Sequence, residues 1–188
     1  MRKLSVLTIT MIFLLSALGF NASVIAEPVS QQEITKREPL GNADFSVSLK
    51  GQIVTLGQRW DDVPDARLGT SLSDEFVGKV EFDGDSYKFY HHQYDGFEIY
   101  TSNLWWDKAE RDFDDYIVAQ ITFKSATLKT HRGAFIGMPI ADINRLYGEG
   151  KYHKDNEGGR VSYLYAKKRL SFKVVNGKVS TITLSFNN

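Results

Sequence analysis

The last stretch of the chain, "VSYLYAKKRLSFKVVNGKVSTITLSF" (Val161 to Phe186), alternates apolar and polar residues almost without a break. A period of two sends successive side chains to opposite faces of a strand, so a run like this buries one face only as sheet. Asn176-Gly177 divides it with two residues that tolerate positive φ, which predicts a hairpin between Leu170–Val175 and Val179–Phe186. The same alternation recurs earlier. "FSVSLKGQIVTLG" turns at Gly51 and resumes through Ile53 and Leu56, and "KVEFDGDSYKFYHH" is two runs about Asp83-Gly84-Asp85. "GFEIYTS" and "YIVAQITFKSATLKT" follow the same rule. The folded part of the chain is strand-rich.

Helical signals are few. Pro139 to Tyr147 has Pro139 at a helix start, Asp142 where acids favour the N-terminus, and Gly148 as a stop. Ile140, Ile143, Leu146 and Tyr147 then share one face, which predicts burial against a sheet. "GQRWDDVPDARLG", Gly57 to Gly69, is the earlier counterpart, but Pro64 interrupts it and predicts a shorter or bent helix. "GEGKYHKDNEGGR" from Gly148 reads as a mobile hairpin connection.

The first residues have a different character. Arg2 and Lys3 precede an apolar run from Leu4 to Phe20, and Val24-Ile25-Ala26 offers small residues for cleavage. This is the pattern of a secretory signal peptide over 1–26, with cleavage after Ala26. Residues 27–44, "EPVSQQEITKREPLGNAD", are polar with Pro28 and Pro39, and read as a flexible leader before a fold that starts near Phe45. The 23 basic and 23 acidic residues balance, and loss of Arg2 and Lys3 leaves a slight acidic excess. Such a surface has no bulk attraction for nucleic acid or anionic lipid. With no cysteine, the chain has neither disulfides nor a thiol for lipid attachment. The expectation is an exported product, periplasmic or secreted, with no stable membrane anchor after cleavage.

The two halves run in parallel. The first has Leu56-Gly57, a helix with Asp62-Val63, Gly69, then strands; the second has Ile136-Gly137, a helix with Asp142-Ile143, Gly148, then strands. The first half carries an extra "NLWWDKAERDFD", Asn103 to Asp114. Residues Gly137, Met138, Asp142, Ile143, Tyr147, Gly148, Tyr163, Tyr165, Gly177, Val179, Ile182 and Leu184 spell G-M-x-x-x-D-I-x-x-x-Y-G, then Y-x-Y, then a glycine turn and V-x-x-I-x-L. This pattern resembles a group of exported bacterial modules: the small lipoprotein of the outer-membrane assembly machinery (the SmpA/OmlA group) and the β-lactamase inhibitory protein. The resemblance implies an α+β, BLIP-like fold of two tandem helix-plus-antiparallel-sheet repeats. Repeat 1 would span 45–126 with the Trp-bearing insert 103–114, and repeat 2 would span 127–188.

Constellations for chemistry are thin. His91-His92 are adjacent on a strand and point to opposite faces, which argues against one metal ion. His131 or His153 with Asp142 or Asp155 and Ser125 or Ser162 could be drawn as a triad, but no nucleophile-elbow glycines surround either serine. Asp61, Asp62, Asp65 and Asp112, Asp114, Asp115 lack the spacing of a calcium loop. No catalytic residue, metal or cofactor is assigned. The aromatics are the stronger signal: Trp105 and Trp106 in the polar insert, with Tyr100 and Tyr94 before them, form the candidate binding residues, since exposed Trp and Tyr anchor interfaces. The competing reading is an insert that folds back over the sheet edge. The expected function is an exported non-enzymatic binding module contacting an envelope or extracellular protein. The alternative is a small-molecule or glycan-binding, inhibitory protein using the aromatic insert.

Overall fold

A computed structural model describes residues 38–156 and 158–187 of the chain. The signal-peptide stretch 1–26 and most of the leader lie outside the described residues.

A 3-10 turn over Asn42–Phe45 leads into a small hairpin, β1 (Ser46–Leu49) and β2 (Gln52–Thr55). A second 3-10 turn, Trp60–Asp62, and a single helical turn, α1 (Asp65–Leu68), follow. Next come β3 (Ser73–Phe82), β4 (Asp85–Tyr94), β5 (Phe97–Ser102) and β6 (Ile117–Phe123). Helix α2 (Ile140–Tyr147) precedes β7 (Lys151–Asp155), β8 (Gly158–Tyr165), β9 (Lys168–Val175) and β10 (Lys178–Phe186). Strands β3 to β10 form one eight-stranded antiparallel sheet in the order β3-β4-β5-β6-β10-β9-β8-β7.

The glycine turns sit where the alternation breaks. Asp83 and Gly84 have φ of 53° and 84°, and Asn176 and Gly177 have 51° and 73°, the positive pair that a two-residue hairpin needs. Gly148, at φ 83°, ends α2. In β1 and β2 the alternation resumes one residue later than the sequence suggests: Val54 and Leu56 are buried, and Ile53 faces out.

The expected pair of helix-plus-sheet repeats is not the architecture. One continuous sheet runs through the chain, and α2 is the only helix longer than one turn among the described residues. The physical reason lies in Gly57–Gly69. Pro64 disfavours helical backbone at the residue before it, and Val63 accordingly takes φ −89° and ψ 113°. The segment breaks into one 3-10 turn and one helical turn, too short to cover a sheet of its own. β6 and β10 meanwhile pair edge to edge, with Leu184 opposite Ile121 and Ile182 opposite Phe123. The "KYHKD…GGR" stretch read as a loose connection forms β7 and the start of β8.

One face of the sheet carries the main core. Tyr94, Phe97, Ile99, Ile121, Phe123, Val161, Tyr163, Leu170, Phe172, Ile182 and Leu184 pack beneath Val47, Leu49, Val54 and Leu56 of the hairpin and Ile143 and Tyr147 of α2. Full burial of each aliphatic side chain contributes about 2 kcal/mol, so this layer drives folding. A second, smaller cluster joins Tyr87, Leu104, Ile117 and Ala119 to Phe82, Phe89, Trp105, Trp106 and Phe186. It seats the insert at the end of the sheet that bears the β3–β4 turn. No described helix is long and apolar enough to cross a membrane.

Candidate binding face

The other face of the sheet follows from the same alternation. With Val161 and Tyr163 turned inward, β8 presents Arg160, Ser162 and Leu164 outward. With Leu170, Phe172 and Val174 inward, β9 presents Arg169, Ser171 and Lys173. Register then sets these residues in rows across the strands. Glu98, Thr122, Thr183, Ser171, Ser162 and Lys151 form one row. Lys173, Arg160 and His153 stand opposite one another in the next, and Ser185, Arg169 and Leu164 form a third. Neither apolar cluster extends over the β7–β10 part of this face.

Two recesses open there. The first, about 470 Å³, is lined by Lys151, His153, Arg160, Ser162, Leu164 and Arg169. The second, about 330 Å³, is lined by Gln120, Arg160, Arg169, Ser171, Lys173, Thr181, Thr183 and Ser185. Arg160 and Arg169 belong to both, and no carboxylate lines either. Arg169 donates a hydrogen bond to Asn187 Oδ1, a neutral acceptor that orients the guanidinium without cancelling its charge. Farther across the face, Glu98 pairs with Lys124 at 3.2 Å and stands 3.7 Å from His91 Nε2.

The four aromatic residues singled out in the sequence are not brought together. Tyr94 is buried in the main core and stacks on Phe97, with ring centroids 4.8 Å apart. Tyr100 stacks on His91 at 4.5 Å; burial and then the Glu98 and Glu75 charges raise its phenol above the ordinary range. Trp105 meets Phe82 and Phe186 edge-on at 5.5 and 4.9 Å, beneath the Lys167 ammonium at 5.3 Å from its ring. Trp106 packs edge-on against Phe113, which is 43% exposed.

Several members of the other constellations take structural contacts. His92 stacks on Trp60 and is held by Asp74 at 2.6 Å and Thr101 at 2.9 Å, whereas His91 stacks on Tyr100. Asp115 pairs with Arg59, Asp114 with Lys88 and Asp142 with Arg145. Ser125 bonds Thr127. Among the described residues no group of His, Asp and Glu is placed to hold a metal ion.

The basic residues of the open face escaped the sequence reading. A signal was present: in "RVSYLYAKKRLSFK" the outward positions are Arg160, Ser162, Leu164, Arg169, Ser171 and Lys173. What hid it was the register, which no single strand reveals. No protein-family model matches this chain, and neither curated proteins nor solved structures give a significant match.

Proposed function

We propose that the chain is an exported, non-enzymatic binding module that receives an envelope or extracellular protein on the open face of its sheet. The observation that supports this reading is the contrast between the two faces. One is filled by the main core; the other exposes rows of hydroxyl, amide and charged groups around two recesses. Paired strands fix the backbone beneath those groups, so little backbone entropy is lost when a partner meets them. Export rests on the Arg2-Lys3 start, the apolar run and the small residues before Glu27.

Site-specific photo-crosslinking tests it. A photoreactive residue in place of Ser162 or Thr183, on the face, should label one protein in envelope or culture extract. The same group in place of Lys79, on the far edge strand β3, should not. Labelling from Lys79 alone would reject the face.

A glycan or small-molecule binder that uses the insert is the second reading, favoured by the exposed Phe113 ring beside Trp106. Saturation-transfer NMR with a glycan panel separates the two, because only this reading expects transfer from the insert rings.

A further inference from the structure

We infer that the β7–β10 half of the open face takes an acidic segment of the partner protein, with Arg160 and Arg169 as its carboxylate receptors. This rests on the reading that the face binds a protein, and it adds the chemistry of what is bound.

The placement of charge carries the argument. Several described cations outside this half of the face find carboxylates: Arg59 with Asp115, Lys88 with Asp114, Lys108 with Asp85, Lys124 with Glu98, Arg132 with Asp44 and Lys167 with Asp83. Arg160 and Arg169 have no ion pair among the described residues, although the chain has as many acidic as basic side chains. Arg160 instead stands directly opposite Lys173 on one side and His153 on the other. Neighbouring strands are about 4.8 Å apart, so these side chains stand side by side on the face. In the adjoining row Ser171 and Ser162 occupy the equivalent places, so hydroxyls lie next to the cations. Two arginines that line both recesses, where no carboxylate is present, are arranged for an incoming anion.

The chemistry of the two residues narrows the anion. A planar guanidinium grips a carboxylate through two parallel hydrogen bonds. Arg160 and Arg169 flank both recesses, so one carboxylate can seat on each side of them. Ser162, Ser171, Thr181, Thr183 and Ser185 add donors and acceptors, and Leu164, 54% exposed, adds an apolar contact. Cations separated by hydroxyls and a leucine suit a peptide with acidic, polar and apolar side chains interleaved.

Fluorescence anisotropy with a short peptide alternating aspartate with serine and leucine tests this, with its asparagine counterpart, inorganic phosphate and a sulfated oligosaccharide as further arms. The aspartate peptide should bind the folded chain, more weakly as salt rises, and at least roughly tenfold better than the asparagine peptide. Arg160→Gln with Arg169→Gln should remove that preference, Arg160→Lys should weaken it in part, and Lys79→Gln should leave it unchanged, with all melts near wild type. Equal binding of the two peptides, or none, overturns the inference, as does tighter binding of phosphate or the oligosaccharide through the same arginines. If crosslinking from Ser162 and Thr183 still captures a protein, only the acidic preference has failed. If the aspartate peptide binds but neither position captures a protein, the wider reading has failed.

Discussion

Arg132 grips Asp44 with two prongs, Nε to Oδ1 at 2.7 Å and Nη2 to Oδ2 at 2.9 Å, and so ties the chain before β1 to the loop before α2. The same guanidinium donates to the carbonyls of Glu38 at 2.9 Å, Pro39 at 3.0 Å and Leu146 at 3.3 Å, and lies over the Tyr147 ring. Asp44 is 3% exposed. Removing one partner leaves the other charge buried and unmatched, which costs about 3 kcal/mol. Arg132→Ala should therefore lower the melting midpoint by roughly 10 °C, measured by circular dichroism.

The same pair sets an acid limit. Burial alone raises the Asp44 carboxyl, but the Arg132 hydrogen bond, the Gly41 amide and the Arg132 charge outweigh it, so the carboxyl lies below its ordinary value. A carboxyl depressed in the fold contributes stability above its unfolded pKa, about 3.9, and loses it as pH falls through the folded one. Denaturation midpoints followed downward from pH 5 should fall less steeply for Asp44→Asn than for wild type. Parallel curves would mean the pair has no such linkage.

Helix α2 provides a second test. Ile143 is fully buried against the sheet, so Ile143→Asp places a charge where nothing solvates it and should unfold the protein. Asp142 pairs with Arg145, one turn on, at the surface, and Asp142→Ala should cost about 1 kcal/mol or less. Similar thermal shifts for the two variants would contradict the packing.

These residues also show how far the sequence could be read. Ile143 and Tyr147 announce their burial by helical spacing, and Asn176-Gly177 announces its hairpin by turn chemistry. Ala166 does neither: it turns β8 into β9 at φ 51° with no glycine or asparagine to mark the place. Pairing between β6 and β10 joins residues some sixty positions apart, and local alternation carries no trace of it. The similar order of elements in the two halves suggested two helix-plus-sheet repeats, whereas edge pairing of β6 with β10 made one eight-stranded sheet. The aromatic insert stood out because tryptophan is conspicuous in a polar run. Arg160 and Arg169 looked ordinary until register put them beside the same two recesses.

The insert separates packing from recognition. Trp105 is wedged between Phe82 and Phe186 with Lys167 above it, so Trp105→Ala should cost about 3 kcal/mol in stability. Trp106, beside the exposed Phe113, should cost less when truncated. Binding of the aspartate peptide per folded molecule should survive both changes, since neither ring lines the Arg160–Arg169 recesses. Loss of peptide affinity in Trp106→Ala, with the melt unchanged, would move recognition to the insert.

The face also depends on a glycine. Gly158 opens β8 at φ 153°, and a Cβ there would lie 2.2 Å from the Val174 carbonyl oxygen. That carbonyl cannot retreat, because Val174 is registered to Gly159 on one side and Val179 on the other. Gly158→Ala must therefore push the start of β8 away from β9. Gly84 makes an instructive control: at φ 84° its Cβ would meet nothing within 4 Å, so Gly84→Ala carries backbone strain alone, about 1 kcal/mol. The Gly158 variant should melt well below the Gly84 variant. It should also lose the aspartate peptide, because displacing β8 moves Arg160 out of line with Lys173 and carries β7, with Lys151 and His153, along with it. Equal melting of the two variants would show that β8 can yield here without disturbing its neighbours, and the positions of the cations would then not be fixed by the sheet.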